Sequence, residues 1–139
     1  MKKIPPARIL VIDDNPAVVD ILGTCIREEG YGVLGALTGD EGLKLFVVSR
    51  PDLVLLDIAL PGGLNGIEVL KRMRSINPTT RVIMVTGNTD PALARDALEL
   101  GAFAYIDKPF DFSYLKRVVG MALQAEAEGP DESSGSRRP

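Results

Sequence analysis

Five short apolar runs, at residues 9–12, 31–37, 53–56, 82–85 and 102–106, are rich in large or branched side chains and lack the polar alternation of a half-exposed strand. Such runs read as strands covered on both faces. Between them lie segments whose apolar residues fall three and four apart. Val18, Leu22, Cys25 and Ile26 precede Gly30, and Leu93, Ala97, Leu98 and Leu100 precede Gly101. That spacing predicts helices, and the glycines mark their ends. The start signals agree: Pro16 suits a first helical turn, Asp90-Pro91 reads as a cap followed by proline, and Asp111 can cap a last helix carrying Leu115, Val118, Val119 and Ala122.

Strand and helix alternate five times, and strands joined by helices must run parallel. The pattern therefore predicts an α/β fold, a single doubly wound parallel sheet of five strands flanked by five helices with right-handed crossovers. The expected divisions are a lead over residues 1–7, one globular domain over 8–126 and a tail over 127–139. The tail lacks large apolar residues, is rich in Gly, Ser, Pro and charge, and should be disordered.

Composition narrows the chemistry. With 139 residues, one domain is long enough to bury most of its apolar surface without staples. The formal charge of −3 argues against nucleic acid or an anionic membrane as the main partner. A single cysteine, Cys25, cannot form an internal disulfide and reads as a small buried hydrophobe. The start, MKKIPPAR, is broken by Pro5, Pro6 and Arg8, and no stretch approaches the roughly 20 apolar residues of a membrane helix, so a cytoplasmic location is expected. There are no histidines, which removes serine and cysteine triads, most zinc sites and any phosphohistidine on this chain. Carboxylates, hydroxyls and lysine remain.

In an open parallel sheet, ligands bind beyond the carboxyl ends of the strands. Asp13 and Asp14 follow the first run, Asp57 the third, Thr86-Gly87 the fourth and Asp107-Lys108-Pro109 the fifth. The second run ends in Leu37-Thr38-Gly39, which offers less chemistry and suits an edge strand. Taken singly, each group has a plainer use: Asp13-Asp14 can cap the helix at Pro16, and Asp57 can open the turn at Pro61-Gly62. Capping does not explain why all four sites share one rim. Adjacent carboxylates repel unless a positive charge sits among them. Acids gathered at one point favour a hard cation such as Mg2+. A nearby lysine is compatible with that metal if an anion lies between them. A phosphoryl group fits, with Lys108 and Thr86 holding its oxygens and one aspartate free to attack.

The ordered set closely resembles the receiver domain of two-component response regulators: Asp13-Asp14, Asp57 with Pro61 four residues on, Thr86 with a small neighbour, and Lys108-Pro109-Phe110. The resemblance runs from about Arg8 to about Ala125. It implies a flavodoxin-like strand order of 2-1-3-4-5, with Asp57 as phosphoacceptor. It implies Mg2+ held by Asp14, Asp57 and the backbone carbonyl of Ala59, with Asp13 acting through water. Lys108 would pair with the phosphoryl group and Asp57, before a cis bond to Pro109. Thr86 and Tyr105 would be the switch pair, reporting on a face built from helix 4, strand 5 and helix 5. The implied partners are a histidine kinase or phosphotransfer protein upstream and a protein target or fused output domain downstream, with no nucleic acid and no membrane. A phosphorylation-dependent dimer stays open, as does whether the chain stands alone.

Three features depart from the common pattern. The stretch DIALPGGLNG, residues 57–66, has one residue more between proline and the later glycine. Ala59 and Asn88 flank the expected path of attacking water with an apolar and a short side chain, and Gly87 replaces a frequent alanine. Two rival readings follow: a Mg2+-dependent phosphohydrolase with an aspartyl nucleophile, and a receiver-like binding module that never takes phosphate. The first lacks an acid two residues after Asp57, where Ala59 stands.

Overall fold

The structure is a computed structural model and describes residues 6–87 and 90–128, with side chains through residue 124. The expected disordered tail beyond Glu128, the start of the lead and Asn88 lie outside the described residues. The elements follow in strict alternation: β1 (Arg8–Ile12), α1 (Pro16–Glu28), β2 (Gly32–Ala36), α2 (Gly39–Ser49), β3 (Leu53–Leu56), α3 (Gly66–Ile76), β4 (Arg81–Thr86), α4 (Pro91–Glu99), β5 (Ala104–Asp107) and α5 (Phe112–Glu128). All strand pairs are parallel and the sheet order is β2-β1-β3-β4-β5. The chain thus forms the doubly wound, flavodoxin-like sheet that its sequence predicts, with β2 at one edge as expected.

The apolar runs have no polar alternation because each strand feeds two cores. Leu10, Ile12, Val54, Leu56, Val82 and Met84 face Phe46 of α2, Val69, Leu70 and Met73 of α3 and Ala97 of α4. Their neighbours Ile9, Val11, Leu53, Leu55, Ile83 and Val85 face Leu22 and Ile26 of α1 and Leu115, Val118, Val119 and Ala122 of α5. Burying each of these larger side chains contributes about 1.5–3 kcal/mol relative to leaving it in water. Met73 and Met84 are wholly core, and Cys25 is a buried free thiol.

The helix signals act where the sequence puts them. Asn15 caps α1 by accepting from the Ala17 N–H, with Pro16 in the first turn, and Asp90 caps α4 by accepting from the Ala92 N–H before Pro91. Asp111 accepts from the Ser113 N–H at 2.8 Å. Gly30 and Gly101 follow α1 and α4 with φ of 95° and 102°. The last run starts later than expected, at Ala104, with the Phe103 N–H already bonded to the Val82 carbonyl at 2.7 Å. α5 continues through Glu128.

One left-handed helix end is formed without glycine. Arg50 closes α2 at φ 50°, ψ 65°, a left-handed conformation that a side chain tolerates poorly. Replacing Arg50 with glycine removes that strain but adds unfolded-chain entropy, leaving a net gain of about 0.5–1 kcal/mol. Urea unfolding of Arg50→Gly should therefore show a higher midpoint than the parent at an unchanged slope.

Candidate functional site

Strand register builds the site. Ile12 lies beside Leu56, and Leu56 beside Met84, so the residues just past β1 and β3 emerge level with one another. The backbone ladder continues beyond the strands: the Asp57 N–H donates to the Ile12 carbonyl at 3.0 Å and the Asp13 N–H to the Ala36 carbonyl at 3.1 Å. Asp13 and Asp57 are thereby fixed in backbone as well as side chain. On the far side, Thr86 pairs with Asp107, and the Lys108 N–H donates to the Thr86 carbonyl at 2.9 Å. Lys108 then precedes a cis peptide bond to Pro109, in agreement with the sequence expectation.

The side chains converge. Lys108 Nζ donates to Asp13 Oδ2 at 2.5 Å and to Asp57 Oδ2 at 3.1 Å. Asp57 Oδ1 accepts from the Ala59 N–H at 3.1 Å, and Asp13 Oδ1 from the Asn15 N–H at 2.9 Å. Carboxylate oxygens of Asp13, Asp14 and Asp57 all lie within 4.8 Å of one another. Asp13 and Asp57 are 2% and 5% exposed, whereas Asp14 faces solvent. Thr86 is fully buried at the same rim. The residues singled out at four strand ends therefore do share one place.

Electrostatics at this rim are strained. Burial raises the Asp13 carboxyl above its usual range, and it outweighs the lowering by Lys108 and the Asn15 N–H, while the Asp57 charge adds to the rise. For Lys108, burial would lower the ammonium, but its bonds to Asp13 and Asp57 prevail and its pKa is raised. One ammonium thus faces three carboxylates. An all-oxygen donor set of this size, two members buried and one open to water, fits a hard divalent cation of the Mg2+ type.

The comparisons with known proteins agree with the geometry. The response regulator receiver domain model matches residues 9–120. The chain belongs to the response regulator receiver family. It is 38% identical over 112 residues to sporulation initiation phosphotransferase F of Bacillus subtilis, covering 81% of this chain and 90% of that protein. It is 40% identical over 120 residues to the regulatory protein AtoC of Escherichia coli, covering 86% of this chain but 26% of AtoC. A CheY-like receiver domain from Methanospirillum hungatei superposes with a TM-score of 0.86 at 33% identity, over 90% of this chain and 99% of that one. Residues 9–120 thus form a receiver domain of the two-component type.

Within this receiver domain, Tyr105 is half-buried against the α2–α4 core layer, two residues before Asp107. Burial raises its phenol, and Asp107, Asp57 and Asp90 raise it further, so the ring senses the acidic rim. Ala59 is exposed beside Asp57. Gly87 is also exposed, and a methyl there would only touch the Lys108 stem at 3.9 Å. Asn88 lies outside the described residues.

Two contacts were not foreseen. Lys108 bonds Asp13 as well as Asp57, a pairing between residues 95 positions apart that no local motif encodes. Gly66 opens α3 with its Cα packed on the backbone of Asp57 and Ile58, where a Cβ would overlap the Asp57 carbonyl oxygen. Its N–H also donates to the Ile58 carbonyl at 2.9 Å. The signal was present as the later glycine of the DIALPGGLNG stretch, but its reason is tertiary.

The Asp13 shift has a definite sign. The folded chain binds the Asp13 proton more tightly than the unfolded chain, so this group's stabilising contribution is present below pH 3.8 and is lost as pH rises through the raised folded value. Asp13→Asn fixes the uncharged form. In chelator, its melting temperature should match the parent near pH 3.8, exceed it increasingly as pH rises, and hold a constant excess at neutral pH.

Proposed function

We propose that Asp57 is the phosphoacceptor, taking a phosphoryl group from the phosphohistidine of a separate kinase or phosphotransfer protein. The observation that carries this reading is the setting of Asp57: buried at the end of β3, with an ammonium on one oxygen, a backbone N–H on the other, and two more acids within 4.8 Å. In the transfer, an Asp57 carboxylate oxygen forms a bond to phosphorus as the phosphorus–nitrogen bond to the donor histidine breaks. Asp14, Asp57 and the Ala59 carbonyl are the residues that would hold Mg2+, with Asp13 acting through water. Once bound, that ion supplies charge neutralisation for the incoming phosphoryl oxygens.

The chain's own groups do the rest. Lys108 already sits on Asp57 and is placed to follow the added charge, and Thr86, buried at the last position of β4, would supply a neutral hydroxyl. Bonds from such groups to a charged acceptor are worth about 1.5–3 kcal/mol each. Coupling of about 1–3 kcal/mol moves a two-state equilibrium 5- to 150-fold. The half-buried Tyr105 would relay the shift of Thr86 to the face formed by α4, β5 and α5, where a protein target or an output domain reads it. On this reading the domain catalyses only its own modification and acts in the cytoplasm, where an ATP-driven kinase is charged.

Intact mass after incubation with acetyl phosphate and Mg2+ tests the proposal. The parent should gain one phosphate and Asp57→Ala none; equal labelling of both, or steady phosphate release from simple monoesters, would overturn it. Mg2+ at about 100 times its Kd should stabilise the parent by about 2.7 kcal/mol and leave Asp14→Ala nearly unchanged. Ala59 borders the approach to Asp57, so replacing it with polar side chains should alter the lifetime of the acyl phosphate; identical lifetimes across a set of such variants would reject that role.

A further inference from the structure

The loop from Asp57 to Gly66 carries the acceptor and the Ala59 carbonyl, and it is the segment with the extra residue. Only Gly62, at φ 67°, gives it a left-handed turn, and nothing lies within 4 Å of the position a Cβ would take there. After that open tip the chain returns against the first turn of α2. A Cβ on Gly39 would stand 2.7 Å from the Leu64 carbonyl oxygen and 2.7 Å from Val69 Cγ2. On Gly63 it would meet the Asp40 carboxylate. At Gly39 the helix therefore lies directly against the loop backbone, and at Gly63 the loop lies against the Asp40 side chain.

That turn of α2 is itself rigidly held. Thr38 Oγ1 accepts from the Glu41 N–H at 3.0 Å, and Glu41 reaches back to accept from the Leu37 N–H at 3.2 Å. The cap holds one end of the turn, and the glutamate holds the residue before the cap. One residue further, Gly42 lies against the Ile12 side chain, immediately before Asp13. The first turn of α2 thus contacts both acid-bearing segments, the end of β1 through Gly42 and the β3–α3 loop through Gly39.

We propose that Gly39 is a positioning residue for the phosphorylation site: it lets the first turn of α2 act as a strut that sets the β3–α3 loop, and so the Ala59 carbonyl, relative to Asp13 and Asp14. This rests on the reading of Asp57 and Ala59 given above. A methyl at residue 39 presses on a backbone carbonyl, which cannot rotate away, and the displacement passes to the loop. Gly35 is the matched control. A Cβ there would stand equally close, 2.7 Å from Val19 Cγ1, but in β2 and away from the loop.

Mg2+ titration followed by melting temperature, together with the initial rate of labelling by acetyl phosphate, tests the assignment on Gly39→Ala, Gly35→Ala and the parent. Gly39→Ala should bind Mg2+ about 10-fold more weakly and label more slowly, as is typical when support for a metal ligand is lost. Gly35→Ala should lose stability but keep both properties. Should Gly39→Ala not fold, Leu64→Ala removes the loop's anchor without adding bulk and should weaken Mg2+ in the same way. Affinity and rate within twofold of the parent in Gly39→Ala, or equal losses in Gly35→Ala, would overturn the proposal. A parent that neither binds Mg2+ nor labels would instead remove the functional reading. The strut is then judged by hydrogen exchange at the Leu60 and Gly66 amides, where faster exchange in Gly39→Ala supports it and unchanged exchange overturns it.

Discussion

Three carboxylates brought within 4.8 Å of one another repel, and a chain that places two of them at 2% and 5% exposure must supply positive charge or lose stability. Lys108 meets part of that demand. Its ammonium bridges Asp13 and Asp57 and so ties the end of β5 to the ends of β1 and β3, across β4. The Lys108 side chain is 22% exposed, so the bridge sits toward the mouth of the site, where it can follow a new negative charge. The surplus of acid over base leaves the rim suited to a divalent cation, and the arrangement is poised rather than self-satisfied.

The scaffold below keeps this imbalance from being relaxed by movement. The strands end in a continuous hydrogen-bonded ladder that includes the backbones of Asp13, Asp57 and Lys108, so the acids cannot drift apart without breaking sheet pairing. Behind them lie two apolar layers that leave the central strand residues almost without solvent contact. The loops carry the chemistry and the sheet carries the stability, a division that lets a small energetic change at the rim bias loops and helices without remaking the fold. The close approach of Gly66 to the Asp57 backbone and of Gly39 to Leu64 extends the same rigidity into the longest loop of the site.

Membership of the receiver family joins this chain to proteins built in two ways. It covers nearly all of the Bacillus subtilis sporulation phosphotransferase and about a quarter of the Escherichia coli regulator AtoC. The shared unit is the receiver domain, matched here over residues 9–120. Around the rim of this chain stand an apolar Ala59 beside Asp57, a bare Gly87 beside Lys108, and a Gly62-Gly63 turn in the β3–α3 loop.

Much of this was legible in the residues, because the information is local. Two-sided apolar runs with intervening helical spacing determined a parallel α/β sheet, and Asn15-Pro16, Asp90-Pro91 and Asp111 marked helix starts through bonds that span two positions. The positions of Asp13, Asp14, Asp57, Thr86 and Lys108 at or just past strand ends placed them on one rim, since parallel strands all point the same way. Other features depended on distances that a sequence does not contain. The Lys108 bond to Asp13, the upward shift of the Asp13 carboxyl and the left-handed Arg50 arise only after strands and helices pack. The same holds for Gly39 and Gly66, whose missing side chains matter because another backbone occupies that space. Periodicity decides which way a residue faces, but only the closed fold decides what it meets there.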